Sequence, residues 1–163
     1  MCGIETHAWG TMRGLRRYFR LTSFEQRIVV QSFAGLVLTR AGLRVLGFGV
    51  SKRVAAALAL VRRDGDGRSA DSISVAVVKM HAAAERRLFF KPSCLEHALV
   101  LWWLLRRQGI AAELRVGGRK EQGRFEAHAW VEAGGAPVGD AGETHRQFAT
   151  FDGPVPLMES RLR

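Results

Sequence analysis

Cys94 follows Lys91-Pro92-Ser93 and opens the run Leu95-Glu96-His97-Ala98-Leu99, which continues through Trp102, Trp103, Leu104 and Leu105 to Gly109. Leu95, Leu99, Trp102 and Leu105 recur at helical spacing, Arg106 and Arg107 fall in the last turn, and Gly109 lies just past the end. The spacing therefore predicts a helix that begins at the thiol. A thiol there meets unpaired backbone amides and the positive end of the helix macrodipole, both of which favour the thiolate. Downstream, His128 sits on the polar side of an alternating strand, and Asp140 follows across a Gly134-Gly135 hairpin. A nucleophilic cysteine needs a base near 3 Å, and that base needs a group to hold its other ring nitrogen. Cys94, His128 and Asp140 supply nucleophile, base and orienting acid in that order.

Each of these residues also has a plainer role to fill. Free cysteine is often a small core residue, a strand histidine can be a hydrogen-bonded core group, and Asp140 beside Gly139 can be a turn former. His97 competes for the role of base, because helical side chains lean back toward the N-terminus and hence toward Cys94. No carboxylate is evident to orient it. Cys94, His97 and His128 have the ligand types of a zinc site but loose spacing and one cysteine, so neither metal nor cofactor is expected. His7, His81 and His145 read as exposed. Trp102 and Trp103 read as core and rim, while Trp130 shares the face of His128 and suits either packing or a substrate platform.

The elements that must position these groups change period along the chain. Residues 1–20 form a basic lead-in with Arg13, Arg16, Arg17 and Arg20, and residues 21–88 read as a helical region. Thr22 and Glu25 spell a capping box that opens a helix through Ile28, Val29, Phe33, Leu36 and Val37. Gly42, Gly47 and Gly49 should break it before a second helix from about Ser51 to Arg63. Asp64-Gly65-Asp66-Gly67 is a turn that lacks the closing ligands of a calcium loop. From Asp71 to Arg87 a helical spacing of Ile73, Val77, Met80 and Ala84 competes with a strand-like Ile73, Val75, Val77. After the cysteine helix, Ala111 to Val116 predicts a strand, with Gly117-Gly118 and Gln122-Gly123 as loops. Arg124 to Glu132 alternates strictly, Phe125, Ala127, Ala129 and Val131 against Glu126, His128, Trp130 and Glu132. The Gly134-Gly135 turn then leads into a partner strand from Ala136 to Gly139.

Composition limits the classes that remain. The chain has 163 residues, enough for one catalytic unit with a helical extension. Its net charge is +10, with 21 of the 25 basic residues arginine. That balance suggests an acidic partner, but the arginines are scattered and no base-stacking motif accompanies them, which argues against nucleic acid. Two distant cysteines make no disulfide framework. No signal peptide is visible. The apolar stretch from Ile28 to Val50 is interrupted by Gln31, Arg40 and Arg44, so no membrane span is expected and a reducing cytoplasm fits a free Cys94.

The run from Cys94 to Leu99, then Leu101 to Ile110, Ala112 to Gly117, Glu126-Ala127-His128-Ala129-Trp130-Val131-Glu132 and Pro137-Val138-Gly139-Asp140, resembles the transglutaminase-like leader peptidases of lasso-peptide biosynthesis. The likeness is tight over residues 90–141 and looser from about 20. It implies an α+β fold: a transglutaminase-like, papain-like cysteine protease core over residues 89–163, with the N-terminal helical region before it. It also implies Cys94 as nucleophile, His128 as general base and Asp140 as orienting acid, with His97 standing where relatives often carry arginine. In that family a winged-helix-like recognition domain is either fused to the protease or encoded separately. The helical reading of the residues before 90 makes this chain the stand-alone protease half. The implied partners are a precursor peptide cut at its leader–core junction, a separate leader-recognition protein docking on the basic N-terminal region, and an ATP-dependent lasso cyclase. No nucleotide site is present, since Gly117-Gly118-Arg119-Lys120 lacks phosphate-loop spacing. Other transglutaminase-like acyl transfer, or a non-enzymatic basic binding module, are the alternatives.

Overall fold

Thr22 starts the first helix. Its hydroxyl accepts the Glu25 N–H at 3.3 Å and the Glu25 carboxylate accepts the Thr22 N–H at 2.9 Å, the reciprocal pair that the spacing predicts. The computed structural model describes residues 18–59, 69–121, 123–139 and 141–151; most of the lead-in and the Asp64–Gly67 turn lie outside them. Helix α1 spans Ser23–Val45 and buries Phe24, Ile28, Ser32 and Leu36, a row of positions four apart. Ser32, the polar member, donates its hydroxyl to the Ile28 carbonyl at 2.7 Å and so satisfies itself inside the core.

Gly42 does not interrupt α1. The break falls at Leu46 and Gly47, where Gly47 takes a φ of 74°, and α2 spans Gly47–Leu58 with Gly49 inside it. A glycine costs a helix only about 1 kcal/mol, and packing recovers it: a Cβ on Gly42 would lie 3.1 Å from Ser51 Oγ, so the two helices approach closely there. By length and composition α1 could cross a bilayer, with a window hydropathy of 1.4. Here one face of it lies on the core instead, through Phe24, Ile28 and Leu36.

Helix α3 spans Ala70–Glu85, capped by Ser69. The strand-like alternative fails because Val75 points to solvent at 67% exposure while Val77 is fully buried. Helix α4 spans Cys94–Arg107 and is the centre of the molecule. Ala98 through Trp102, Leu104 and Leu105 are all buried, as befits a helix apolar on nearly every side. Each large side chain among them contributes roughly 1.5–3 kcal/mol by leaving water. Gly109, at a φ of 79°, turns the chain out of the helix.

Four antiparallel strands close the other side in the order β3-β2-β1-β4: β1 Ala112–Glu121, β2 Arg124–Ala133, β3 Ala136–Val138 and β4 Ala149–Thr150, with a 3₁₀ helix at Ala141–Gln147. Strand β1 does not stop at Val116 as expected; it runs on through both glycines and pairs with β2 to Glu121. The glycines serve ring packing, not a loop. A Cβ on Gly118 would lie 2.7 Å from Phe125 Cζ, and one on Gly117 3.0 Å from the Trp130 ring. Gly134 and Gly135, both at positive φ, make the expected tight hairpin. Leu114, Ala129 and Val131 face α4, with α1 and α3 on its other side. The molecule is therefore α+β, and every described residue before 89 that lies in a regular element is helical.

Candidate active site

The thiol is positioned by a cap. Ser93 Oγ accepts the Glu96 N–H at 3.2 Å, and the Glu96 carboxylate accepts the Ser93 N–H at 2.7 Å. This second capping box was legible as Ser93-x-x-Glu96 and passed unused. The buried Glu96 faces Arg40 of α1 at 3.6 Å, and the Arg40 guanidinium lies 4.3 Å above the Phe90 ring. The first turn of α4 is thus held from three sides. Its cap uses the Glu96 N–H, leaving those of Cys94 and Leu95, which by position have no intrahelical acceptor.

Cys94 and His128 line one cleft of about 440 Å³, with His97, Trp130, Gly139 and Thr144 among its other walls. Strand β3 pairs only with residues 131–133 of β2. Beyond it Cys94 Sγ reaches the strand's backbone, 4.0 Å from the Ala127 carbonyl, one residue before His128. The His128 ring is stacked on Trp130, with centroids 6.0 Å apart at 18°, and tilted against Phe148 at 5.2 Å. Trp130 is itself fixed: its Nε1 donates to Glu132 at 3.0 Å, and Arg115 of β1 donates to Glu132 at 2.9 Å. A chain from Arg115 through Glu132 and Trp130 therefore sets the plane of the histidine. Trp130 is neither simple core nor open platform; it orients its neighbour.

Asp140 lies outside the described residues. Gly139, just before it, takes a φ of 73° and is wedged against α4, where a Cβ would lie 2.5 Å from Leu101 Cδ2 and 3.7 Å from His97 Nε2. Only glycine fits that approach, and it carries the chain past the cleft.

Three expectations about histidines are overturned. His97 does have an orienting carboxylate: its Nδ1 lies 2.9 Å from Glu85 Oε2, at the end of α3. That hydrogen bond, against the opposing effect of burial, holds the Glu85 carboxyl below its ordinary range. His81, expected exposed, is fully buried, because it falls four residues after Val77 on the inward row of α3. Its ring lies 4.7 Å from that of His97. Burial above all, with the neighbouring His97, drives its pKa down to about 3. His145, also expected exposed, is half-buried with its ring 6.1 Å from Trp130, and His7 lies outside the described residues. Of the residues offered for a zinc site, only His97 joins a converging set among the described residues, and it does so with His81 and Glu85.

A family model described as the transglutaminase-like superfamily matches residues 35–151, well over half of the chain and spanning both the thiol and the histidine strand. No curated protein and no solved structure gives a match.

Proposed function

Because the chain belongs to the transglutaminase-like superfamily, we propose that it is a cysteine peptidase that removes the leader from a lasso-peptide precursor. The superfamily includes cysteine proteases and acyl transferases, and is generally catalytic. The observation that carries the reading is the meeting of Cys94, first residue of a buried helix, with the His128 strand in one cleft. The finer assignment to leader removal rests on the likeness of the Cys94–Leu99 run and the Glu126–Glu132 strand to those peptidases.

In this mechanism His128 takes the thiol proton of Cys94, and Sγ attacks the carbonyl carbon at the leader–core junction. The oxyanion is received by the free N–H of Cys94 at the helix start, where the macrodipole adds to the hydrogen bond. His128 donates its proton to the leaving amine as the tetrahedral intermediate collapses to a thioester. Water then adds to the thioester, His128 takes its proton, and the leader departs as a carboxylate with the thiol restored. Asp140 holds the other nitrogen of His128 and stabilises the imidazolium.

The protein works in the cytoplasm with a separate leader-recognition protein and upstream of an ATP-dependent macrolactam cyclase. A partner is supported by the surface of α1 and α2, where Leu38, Val45, Val54 and Leu58 are exposed. Incubating the protein with a precursor peptide, with and without the small protein that holds the leader, tests the reading by mass spectrometry. Cleavage at one junction, accelerated by the partner, is expected. Cys94→Ala and His128→Ala should abolish it, and Asp140→Asn should leave a trace. Normal cleavage by Cys94→Ala refutes the cysteine mechanism, and an alkylatable Cys94 that transfers acyl groups without cleavage shifts the reading to acyl transfer.

A further inference from the structure

Where α3 and α4 meet, they bring together three groups that the proposed reaction does not use, two of them already joined by the His97–Glu85 hydrogen bond. His81 and Glu85 lie four residues apart on α3 and so project from one face of it. His97 comes from α4, one turn beyond Cys94. Their ligand atoms all lie within 4.8 Å of one another, and His97 Nδ1 is 2.9 Å from Glu85 Oε2.

His81 is the observation that points to a ligand. It is 0% exposed, and its ring nitrogens make no hydrogen bond of ordinary geometry, only an approach to the His97 backbone. Buried ring nitrogens so poorly satisfied are rare and costly, and a leucine would fill this place at less cost. We infer that His81, Glu85 and His97 form a binding site for a borderline divalent cation of the zinc class.

Ligand type and distance both fit. Two imidazoles and a carboxylate are a recurrent zinc set, with metal–ligand bonds of about 2.0–2.2 Å and a fourth position left to water. Tetrahedral ligands at that radius stand about 3.3 Å apart, inside the range from 2.9 Å to 4.8 Å seen here. Closing the site means bringing the most widely separated ligand atoms about 1.5 Å nearer one another. Glu85 and His97 also line the cleft, whereas His81 lies behind them, so the fourth position faces the cleft. A bound cation would clamp α3 to the helix that presents Cys94.

Zinc and cobalt titrations of the whole protein test this. Isothermal titration with Zn²⁺ should give one site per chain in the wild type and in Cys94→Ala alike. Glu85→Gln and His97→Gln should each weaken it by more than the roughly 10–100-fold that follows loss of a group merely orienting a ligand. Both substitutions sit at half-exposed positions and keep size and hydrogen bonding, and circular dichroism verifies that they fold. The Co²⁺ form should show tetrahedral d–d bands without a thiolate charge-transfer band. Absence of wild-type binding, binding that survives both substitutions, or binding lost in Cys94→Ala with a thiolate band in the wild type overturns the inference.

Discussion

His97 Nδ1 lies 2.9 Å from Glu85 Oε2, and its Nε2 faces Gly139, so the histidine nearest Cys94 in sequence is tied to α3 and to the turn after β3. His128 is stacked on Trp130 one residue beyond the backbone that the thiol touches. The two histidines thus have separable tasks. His128→Ala should lower cleavage by about 10²–10⁴-fold, the usual contribution of a general acid–base, while His97→Gln should stay within about tenfold of wild type. The reverse order, measured as kcat/KM on the same precursor, would show that a His97–Glu85 pair is the base.

The cap that starts α4 gives a second test. Ser93→Ala removes the acceptor for the Glu96 N–H and should destabilise the protein by about 1 kcal/mol, within the 0.5–2 range for such caps. Urea denaturation reads this directly. Cys94 labelling by iodoacetamide, rated against free glutathione, should change in the same variant, because the first turn that presents the thiol has frayed. An unchanged labelling rate would mean that the cap serves stability alone.

Gly139 and Gly123 separate backbone strain from crowding. Both have positive φ, but a Cβ on Gly123 would meet nothing within 4 Å, whereas one on Gly139 would strike Leu101. Gly123→Ala should cost only the left-handed conformation, about 1–2 kcal/mol. Gly139→Ala adds overpacking of about 1–3 kcal/mol and should depress cleavage, since Gly139 lines the cleft that holds Cys94 and His128. Equal destabilisation of the two would remove the close approach as a factor.

Acid should weaken the fold through His81. Its pKa in the folded state is about 3, below the 6.5 of an ordinary histidine, so the unfolded chain takes up the proton first as pH falls. Stability is therefore lost from pH 6.5 toward 3, at up to about 1.4 kcal/mol per pH unit. Glu85, with its carboxyl held low by His97, loses its own contribution only below the ordinary carboxyl range near 4.5. The interval between pH 4.5 and 6.5 consequently isolates His81. Denaturation in the presence of chelator should show this slope in the wild type and lose it in His81→Leu, whose stability at pH 7 should be equal or higher. A slope that persists in His81→Leu would assign it to other groups.

What the sequence by itself determined is what repeats over a few residues. The Thr22–Glu25 cap, the apolar row of α4, the start of α4 at Cys94, the alternation that carries His128 and the Gly134-Gly135 hairpin all rest on local backbone chemistry and one period. On α1 the expected Phe33 and Val37 are exposed, and Phe24 and Ser32 join Ile28 and Leu36 on the buried row instead. Tertiary contact decided the rest. Gly117 and Gly118 look like a loop alone, and become strand because the rings of Trp130 and Phe125 on the paired strand fill the space that side chains would take. His81 looks like any polar residue on a helix until α4 covers its row. Glu85 and His97 lie on different helices, so their pairing depends on how α3 and α4 are rotated against each other, and that rotation is set by how the whole core fills its volume. No spacing along one chain segment encodes it.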